Sequence, residues 1–353
     1  MTRVEELDTP VVTVELDIVA ANIRKMQAYC DRHGIRFRPH IKTHKIPELG
    51  RLQVQAGAQG ITCQKLGEAE VFADAGFDDI FIPYNLVGPA KLKRLVALAR
   101  RVRVSVAVDS ALVAEGISVA AATAGVAVPL LVECDTGAAR TGVQSPAEAL
   151  ALAQRIARLP GVRFAGLMTF PTHPRTTPPF LEESLYLLAR AGLQAETVSG
   201  GGTPQSWQVH EMPAITEHRA GTYVYNDSNT LAAGTATLDE CAMRVLMTVV
   251  SRPTADRAIL DGGSKTLSAD RLLWRDPSYG TIVEYPQASI YGYSEEHANV
   301  DLSRCERKPA LGERVTVIPN HCCTVSNLHD EILGVRGGVV ELTWRVRARG
   351  LVR

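Results

Sequence analysis

The sequence predicts an α/β protein: a (β/α)8 TIM-type barrel with a second, β-rich C-terminal domain. From about residue 15 to 235, segments with helical spacing of apolar residues alternate with short β-prone runs. There are eight such runs, the number of strands that closes a barrel of this type. After residue 235 the helical periodicity ends, and strands joined by turns follow.

The elements follow one another regularly. Apolar spacing over residues 16–34 predicts a first helix that ends at Gly34, and "IRFRPH" (35–40) predicts the first strand. A doubly wound open sheet is the alternative, but no G-x-G-x-x-G motif follows an early strand. The later β-prone runs cover residues 60–64, 79–84, 103–109, 129–135, 163–170, 195–201 and 217–224.

We expect two domains. The barrel is predicted over residues 13–235 and the β-rich domain over 236–353. Residues 1–12 precede the first barrel helix and are strand-like, so we expect them to join the β-rich domain.

Composition narrows the functional classes. The chain has 38 Lys and Arg and 38 Asp and Glu, so it has no basic surplus for nucleic acid or an anionic membrane surface. The weakly polar stretch 116–132 is broken by Gly125 and Pro129 and is shorter than the ~20 residues of a membrane span. Seven irregularly spaced cysteines argue against a disulfide framework and favour a reducing compartment. We expect a cytoplasmic protein.

The segment "RPHIKTHK" (38–45) concentrates basic residues. Lys42 lies two residues past the first predicted strand, where barrel enzymes place reactive groups. A buried lysine with His44 and Lys45 nearby is expected to have a lowered pKa and to attack carbonyl groups. The alternative is an exposed lysine in a βα loop, which position alone favours.

Two glycine-containing loops follow the seventh and eighth predicted strands. "VSGGGTP" (198–204) has three consecutive glycines, and "RAGTYVYND" (219–227) contains Gly221 and Thr222. Barrels often bind phosphate with the loops after these two strands, because backbone N–H groups there can surround an anion. Either loop alone could be an ordinary turn, but together they predict a phosphate site.

The segment "PNHCC" (319–323) suggests a metal site. His321 and Cys323 are two residues apart on what we expect to be a strand, so both side chains would face one side, with Cys322 on the other. A nitrogen–sulfur pair suits zinc better than magnesium, and two ligands leave positions for water and substrate. A packed histidine beside a buried cysteine is the alternative.

Three further segments carry weaker signals. His173, just past the sixth strand, could act as a base or be an ordinary loop histidine. Glu295 or His297 of "SEEH" could join the metal pair or form a solvated turn. "DGGSKT" (261–266) lacks the first glycine of a nucleotide-binding loop, so we expect a functional turn or a dimer contact.

These motifs resemble those of a known family. "RPHIKTHK", "VECDTGAARTGV", "SGGGTP", "AGTYVYND", "LDGGSKTLSAD" and "PNHCCTVSNLHD" occur in the order found in the D-threonine aldolase and D-serine dehydratase group. That group consists of pyridoxal-phosphate enzymes built on the alanine racemase fold, and the resemblance covers nearly the whole chain. It implies a homodimer in which the β-rich domain of one subunit closes the active site of its partner.

The resemblance also implies roles for individual residues. Lys42 would form the Schiff base with pyridoxal phosphate, Arg140 would approach the pyridine ring, and His173 is the candidate base. His321 and Cys323 would bind a divalent metal, either zinc or manganese, with magnesium as a third option. The phosphate would be held by Gly200, Gly201, Gly202, Thr203, Gly221, Thr222 and Tyr223.

The implied activity is a lyase reaction on a D-amino acid that carries a β-hydroxyl group. Aldol cleavage to glycine and an aldehyde is preferred, and β-elimination to an α-keto acid and ammonia is the alternative. Racemization is a second alternative, but a metal pair argues against it. Two departures matter: Phe170 stands where the family usually has tyrosine, and Cys323 is more typical of the dehydratases than of the aldolases.

Overall fold

The computed structural model describes residues 2–272 and 278–353. The chain divides into two compact units. The barrel unit comprises Met26–Lys42, Leu49–Gly221 and Leu351–Arg353, and the β-rich unit comprises Met1–Lys25, Thr43–Glu48 and Thr222–Gly350. The domain limits 13–235 and 236–353, with 1–12 joining the second domain, stay a prediction. In the described part of the chain, every helix is too short or too polar to cross a bilayer.

The barrel unit contains eight parallel strands, which confirms the predicted fold class. Each strand lies within or next to a predicted β-prone run, although the last ends at Arg219 rather than at residue 224. A parallel bridge between His40 and Thr62 joins the first of these strands to the second and closes the sheet. The strands are β2 (Arg36–Phe37), β3 (Ile61–Thr62), β4 (Asp79–Ile82), β5 (Arg103–Val108), β6 (Val128–Cys134), β7 (Val162–Thr169), β8 (Thr197–Gly201) and β9 (Glu217–Arg219).

Helices alternate with most of these strands. The helix over 146–157 begins after Ser145, whose hydroxyl accepts the N–H of Glu148, and the helix over 111–124 ends at left-handed Gly125. The helices of the chain are α1 (Leu16–Arg32), α2 (Pro47–Gln55), α3 (Leu66–Asp74), α4 (Pro89–Ala99), α5 (Ala111–Ala124), α6 (Pro146–Ala157), α7 (Thr177–Arg190), α8 (Ser228–Ala232), α9 (Ser264–Leu267) and α10 (Cys322–Leu328).

The β-rich unit contains a nine-stranded sheet, as the change of pattern after residue 235 predicts. The N-terminal strand β1 (Val11–Glu15) pairs with two strands from the C-terminal part of the chain, so the first residues belong structurally to this unit. The other strands are β10 (Met243–Thr254), β11 (Arg257–Leu260), β12 (Thr281–Ile282), β13 (Ser289–Tyr293), β14 (Ala298–Asp301), β15 (Arg314–Ile318), β16 (Glu331–Arg336) and β17 (Val339–Arg345).

Buried charges stabilise the end of the barrel where the strands begin. Arg38 Nε lies 2.8 Å from Glu217 Oε2, and Arg38 Nη1 lies 2.6 Å from Asp79 Oδ1. Burial alone would raise the pKa of Glu217, but the charge of Arg38 and a hydroxyl bond from Ser199 lower it below its ordinary value. Glu217 therefore adds stability above the unfolded-state pKa, and this contribution is lost as pH falls through the folded-state pKa.

We expect Arg38→Ala to destabilise the protein by about 3–5 kcal/mol at neutral pH, because it leaves the Glu217 carboxylate buried without its main partner. The loss should shrink as pH falls and Glu217 becomes protonated. Urea denaturation at several pH values measures it. Arg163→Ala, which removes an exposed pair with Glu196, is the control and should cost under about 1 kcal/mol. Equal losses in both variants would contradict the prediction.

Candidate active site

Lys42 lies at the carboxyl end of the barrel strands, in a single 3-10 turn (Ile41–Thr43) that follows β2. Its side chain is partly buried, and Nζ lies 5.8 Å from the centre of the Phe170 ring. The neighbouring His40 is buried and bonds Gln64 Oε1 through Nε2 at 3.0 Å. Burial, and then the charge of Lys42, hold the pKa of His40 well below its ordinary value. His40 is therefore neutral at pH 7, and the reactive role of Lys42 stays a prediction.

A second cation approaches Phe170. The guanidinium carbon of Arg140 lies 4.8 Å from the ring centre. Asp135 shapes the loop that carries Arg140: its Oδ1 accepts the backbone N–H groups of Gly137, Ala138 and Ala139 at 2.8–3.2 Å. Lys42 and Arg140 thus both face the Phe170 ring, although β2 and β6, the strands that precede them, are not neighbours in the sheet.

Each of the three glycines at the end of β8 has its own structural surroundings. Gly200 and Gly201 end β8, and a Cβ on Gly201 would lie 2.9 Å from an Arg219 guanidinium nitrogen. Gly202 has φ +123°, and its N–H donates to the Arg219 carbonyl at 2.9 Å. This N–H is therefore engaged by the backbone. A Cβ at Gly202 would lie 3.7 Å from Gln205 Oε1 and from the Phe170 ring, which is ordinary van der Waals contact, so the positive φ rather than crowding favours glycine here.

His173 offers little as a base in this conformation. It lies in the turn before α7, and its Nδ1 accepts the backbone N–H of Arg175 at 3.2 Å. A neutral imidazole whose Nδ1 accepts a hydrogen bond holds its proton on Nε2. The exposed nitrogen is then a donor, and a base role would require the bond to Arg175 to open. The catalytic role of His173 stays a prediction.

Two buried charged residues in the barrel unit escaped the sequence analysis. Arg219 is buried, with Nη1 2.6 Å from Ser199 Oγ and Nη2 3.1 Å from the Thr169 carbonyl, and burial lowers its pKa to about 10. Glu133 accepts the Thr141 hydroxyl at 2.7 Å, and burial raises its pKa. The available signal was uneven: Glu133 is the charged residue of the otherwise apolar strand β6, whereas Arg219 ends β9, whose three residues "EHR" are all polar.

The predicted metal pair lies in the β-rich unit, but the strand expected there is wrong. His321 is the N-cap of α10, and Cys322 and Cys323 form the first turn of this helix. The two predicted ligands still interact: the charge that Cys323 carries when ionised, opposed by burial, raises the pKa of His321 to about 10. Cys322 is buried and Cys323 is half-buried, and the predicted division into a structural and a metal-binding cysteine stays a prediction.

Several side chains of the same unit surround this pair. Cys323 Sγ lies 3.2 Å from Thr43 Oγ1 and 3.8 Å from Thr222 Oγ1. Tyr223 is buried in the 3-10 turn that Thr222 begins. The phosphate roles predicted for Thr222 and Tyr223, and for Gly221 at the end of the barrel unit, stay predictions.

Glu295 and His297 do not complete a metal site. Both are exposed in the turn between β13 and β14. Within residues 2–272 and 278–353, no group of three or more His, Cys, Asp or Glu could hold a metal ion. The role of His321 and Cys323 as metal ligands stays a prediction.

A cavity of about 620 Å³ lies at the other end of the barrel, lined by Asp79, Arg103 and Glu217 at the beginnings of their strands and by Arg38, which follows β2. Its lining, among the described residues, contains none of the predicted site residues. Reactive groups of barrel enzymes lie at the carboxyl end of the strands, so we assign the candidate active site to the end that carries Lys42.

The sequence and the fold define the class of protein. The profile of the alanine racemase N-terminal domain family matches residues 14–229, and that of a serine dehydratase domain matches residues 242–335. The chain belongs to this pyridoxal-phosphate-dependent family of the alanine racemase fold, within its D-threonine aldolase and D-serine dehydratase group. The resemblance noted in the motifs is thereby confirmed.

Among individual proteins, the chain is similar to D-threonine aldolases and to a hydroxyaspartate dehydratase. The chain is 38% identical over 365 residues to a D-threonine aldolase from Arthrobacter sp, covering 98% of this chain and 94% of the relative. The crystal structure of D-threonine aldolase from Filomicrobium marinum matches with a TM-score of 0.90 and 32% identity, covering 99% of this chain and 97% of that one. A cysteine-to-alanine mutant of D-threo-3-hydroxyaspartate dehydratase, in the metal-free form, matches with a TM-score of 0.89 and 28% identity over 98% and 99% of the two chains.

Proposed function

We propose that the protein is a pyridoxal-phosphate- and divalent-metal-dependent lyase that cleaves D-β-hydroxy-α-amino acids, with D-threonine converted to glycine and acetaldehyde. The observation that carries this proposal is the lysine site at the end of the barrel, in a chain that matches D-threonine aldolases nearly end to end. The His321 and Cys323 pair in the β-rich unit supports the proposal, because these two side chains could bind the divalent metal that the reaction requires.

The residues around Lys42 fit the cofactor. Lys42 offers a primary amine for its aldehyde, the Phe170 ring offers an apolar face for its ring, and Arg140 offers a cation for its oxygens. The positive φ of Gly202, which a residue with a side chain would adopt only under strain, keeps the backbone bare beside the Phe170 ring. Lys42, Arg140, the loop 200–203 and the segment 221–223 are the residues that would hold it.

The donor set at α10 fits a divalent cation. An imidazole nitrogen and a thiolate are ligands that zinc prefers, and manganese is the second candidate. His321 and Cys323 would hold the ion, and the two-ligand set leaves positions for water and a substrate oxygen. When bound, pyridoxal phosphate supplies an electron sink for charge at Cα, and the cation supplies a Lewis acid for the β-hydroxyl group.

Whether aldol cleavage or β-elimination occurs depends on which side chain of the protein removes which proton of the substrate. In aldol cleavage a base removes the β-hydroxyl proton, and His173 serves only if its Nδ1 bond to Arg175 opens. In β-elimination the base must take the proton at Cα, a step that we assign to Lys42 Nζ. Arg140 is partly held by the Phe170 ring and would bind a carboxylate or an anionic ring oxygen.

A D-serine or D-threo-3-hydroxyaspartate dehydratase is the second candidate. Cys323 favours it, because a cysteine here is more typical of the dehydratases, and a matching dehydratase structure is a cysteine-to-alanine mutant in the metal-free form. Amino-acid racemization is the third candidate. Racemization requires acid–base groups on both faces of Cα and no metal. It would therefore leave His321 and Cys323 without a role.

A product assay tests the proposal. We expect D-threonine, with zinc or manganese supplied, to give glycine and acetaldehyde in equal amounts. 2-Oxobutyrate with ammonia would establish the dehydratase instead. L-Threonine or L-allo-threonine as the only product would contradict both lyase reactions and leave the racemase.

The oligomeric state, the cellular location and the binding partners are also proposals. We propose a homodimer with shared active sites, a cytoplasmic location, and a D-amino acid as the small-molecule partner, with no nucleic acid and no membrane surface. The zero net charge supports the expectation that neither nucleic acid nor a membrane surface is a partner. Light scattering at micromolar concentration measures the oligomeric state, and a monomer would contradict it.

A further inference from the structure

The segment "LSAD" (267–270) was left without a function by the sequence analysis, and the structure places its last residue against the metal pair. Asp270 Oδ2 lies 2.7 Å from His321 Nδ1, within the β-rich unit. The same carboxylate oxygen accepts the Thr324 hydroxyl at 3.3 Å. Because Nδ1 bonds Asp270, Nε2 is the imidazole nitrogen that remains for a cation.

The backbone around Asp270 is held in place by several contacts. Ser268 adopts φ 65° and ψ 171°, a region that residues with a side chain rarely occupy. Its Oγ accepts the Thr324 hydroxyl at 3.0 Å. Asn320 Nδ2 donates to the carbonyls of Asp270 at 3.0 Å and Ser278 at 2.6 Å. The segment is thus tied to Asn320 and Thr324, which lie on either side of His321 in the sequence.

We propose that Asp270 is the positioning residue of the metal site: it fixes the His321 ring with Nδ1–H towards the carboxylate and directs the Nε2 lone pair to the divalent cation. This inference rests on the proposed function, which assigns His321 and Cys323 as the ligands. A metal-bound histidine commonly donates its other ring N–H to a carboxylate, which fixes the tautomer and makes the ligand more basic. Asp270 acts through His321 and does not itself bind the ion.

The test compares the zinc affinities of Asp270→Asn, Asp270→Ala and His321→Ala holoenzymes by competition with a chromophoric chelator. We expect Asp270→Ala to bind zinc about 10–100-fold more weakly, since loss of such an outer partner typically has this effect. Asp270→Asn should lose less, because its amide oxygen still accepts the Nδ1 proton. Cofactor absorbance and the urea midpoint should be unchanged. Asp239→Asn, an exposed carboxylate in the same unit, is the control and should bind zinc normally.

The possible results are distinguishable. Asp270→Ala with wild-type zinc affinity, beside a His321→Ala variant that no longer binds zinc, overturns the positioning role and leaves the metal pair intact. Equal and complete loss in both variants also overturns it, because Asp270 would then be a ligand. Normal zinc binding by His321→Ala contradicts the proposed metal site itself, and the inference falls with it.

Discussion

Replacement of Lys42 by alanine is expected to abolish turnover and the visible absorbance of bound pyridoxal phosphate. Lys42 Nζ faces Phe170 at the carboxyl end of the barrel and is the proposed attachment point of the cofactor. We expect activity to fall by about 10³-fold or more, because a proton-transfer group alone contributes 10²–10⁴-fold and the cofactor is lost as well. Absorbance spectra and the product assay measure both effects.

Lys93→Ala is the matched control for this variant, because Lys93 is an exposed lysine on α4 of the same unit. It should keep both the absorbance and the activity. Unchanged turnover by Lys42→Ala would contradict the assignment of the lysine.

The second large effect is expected at the metal pair. His321→Ala and Cys323→Ala should each lower turnover about 100-fold or more, because the cation is expected to supply several kcal/mol of charge stabilisation at the β-hydroxyl group. The cofactor absorbance should be retained, since Lys42 is untouched. Exhaustive treatment of the wild-type protein with EDTA should have the same effect, and zinc or manganese should restore activity.

The controls for these variants lie in the same unit. His297→Ala changes an exposed histidine, and Cys305→Ala changes a buried cysteine that does not belong to the proposed site. Both proteins should remain active and should still lose activity in EDTA. A fully active metal-free wild-type protein would show that the His321 and Cys323 pair has no role in turnover.

The barrel was predictable because its strands have a strong local signal. Each β-prone run from "IRFRPH" to "EHRAGTYV" is bounded by turn residues or an amphipathic helix, and each contains or adjoins an observed strand. The end of the last strand was harder to predict. "TYV" is rich in β-prone residues, but it forms a 3-10 turn in which Tyr223 is buried. Tertiary burial decides such short segments, and local propensity does not.

Tertiary contacts also explain why a strand was wrongly predicted at His321 and Cys323. "PNHCC" has β-prone neighbours, and an i, i+2 pair suggested a strand, yet α10 begins at Cys322. Asp227, which is distant in sequence, accepts the Cys322 N–H at 3.1 Å and supports the first turn of the helix. No local pattern reveals that acceptor. The residue types of the pair were informative, whereas the element that carries them depends on a long-range contact.

Buried charges were the part of the site that the sequence analysis missed. Glu133 stands in the apolar strand β6 and Arg219 ends the polar strand β9, and neither sequence context shows that the charged side chain is buried. Asp270 was missed for a different reason, because 51 residues separate it from His321 and only the fold brings them together. Motif spacing identifies groups that lie close in the chain, and the supporting groups require the structure.

The most direct test of Lys42 as the cofactor lysine is borohydride reduction of the holoenzyme, followed by proteolysis and mass mapping. Reduction fixes a Schiff base between pyridoxal phosphate and a lysine as a stable secondary amine. We predict that the phosphopyridoxyl group is found on the peptide that contains Lys42, and that D-threonine added before reduction lowers its amount. Labelling of another lysine, or no labelled peptide from an active preparation, would contradict the proposed site.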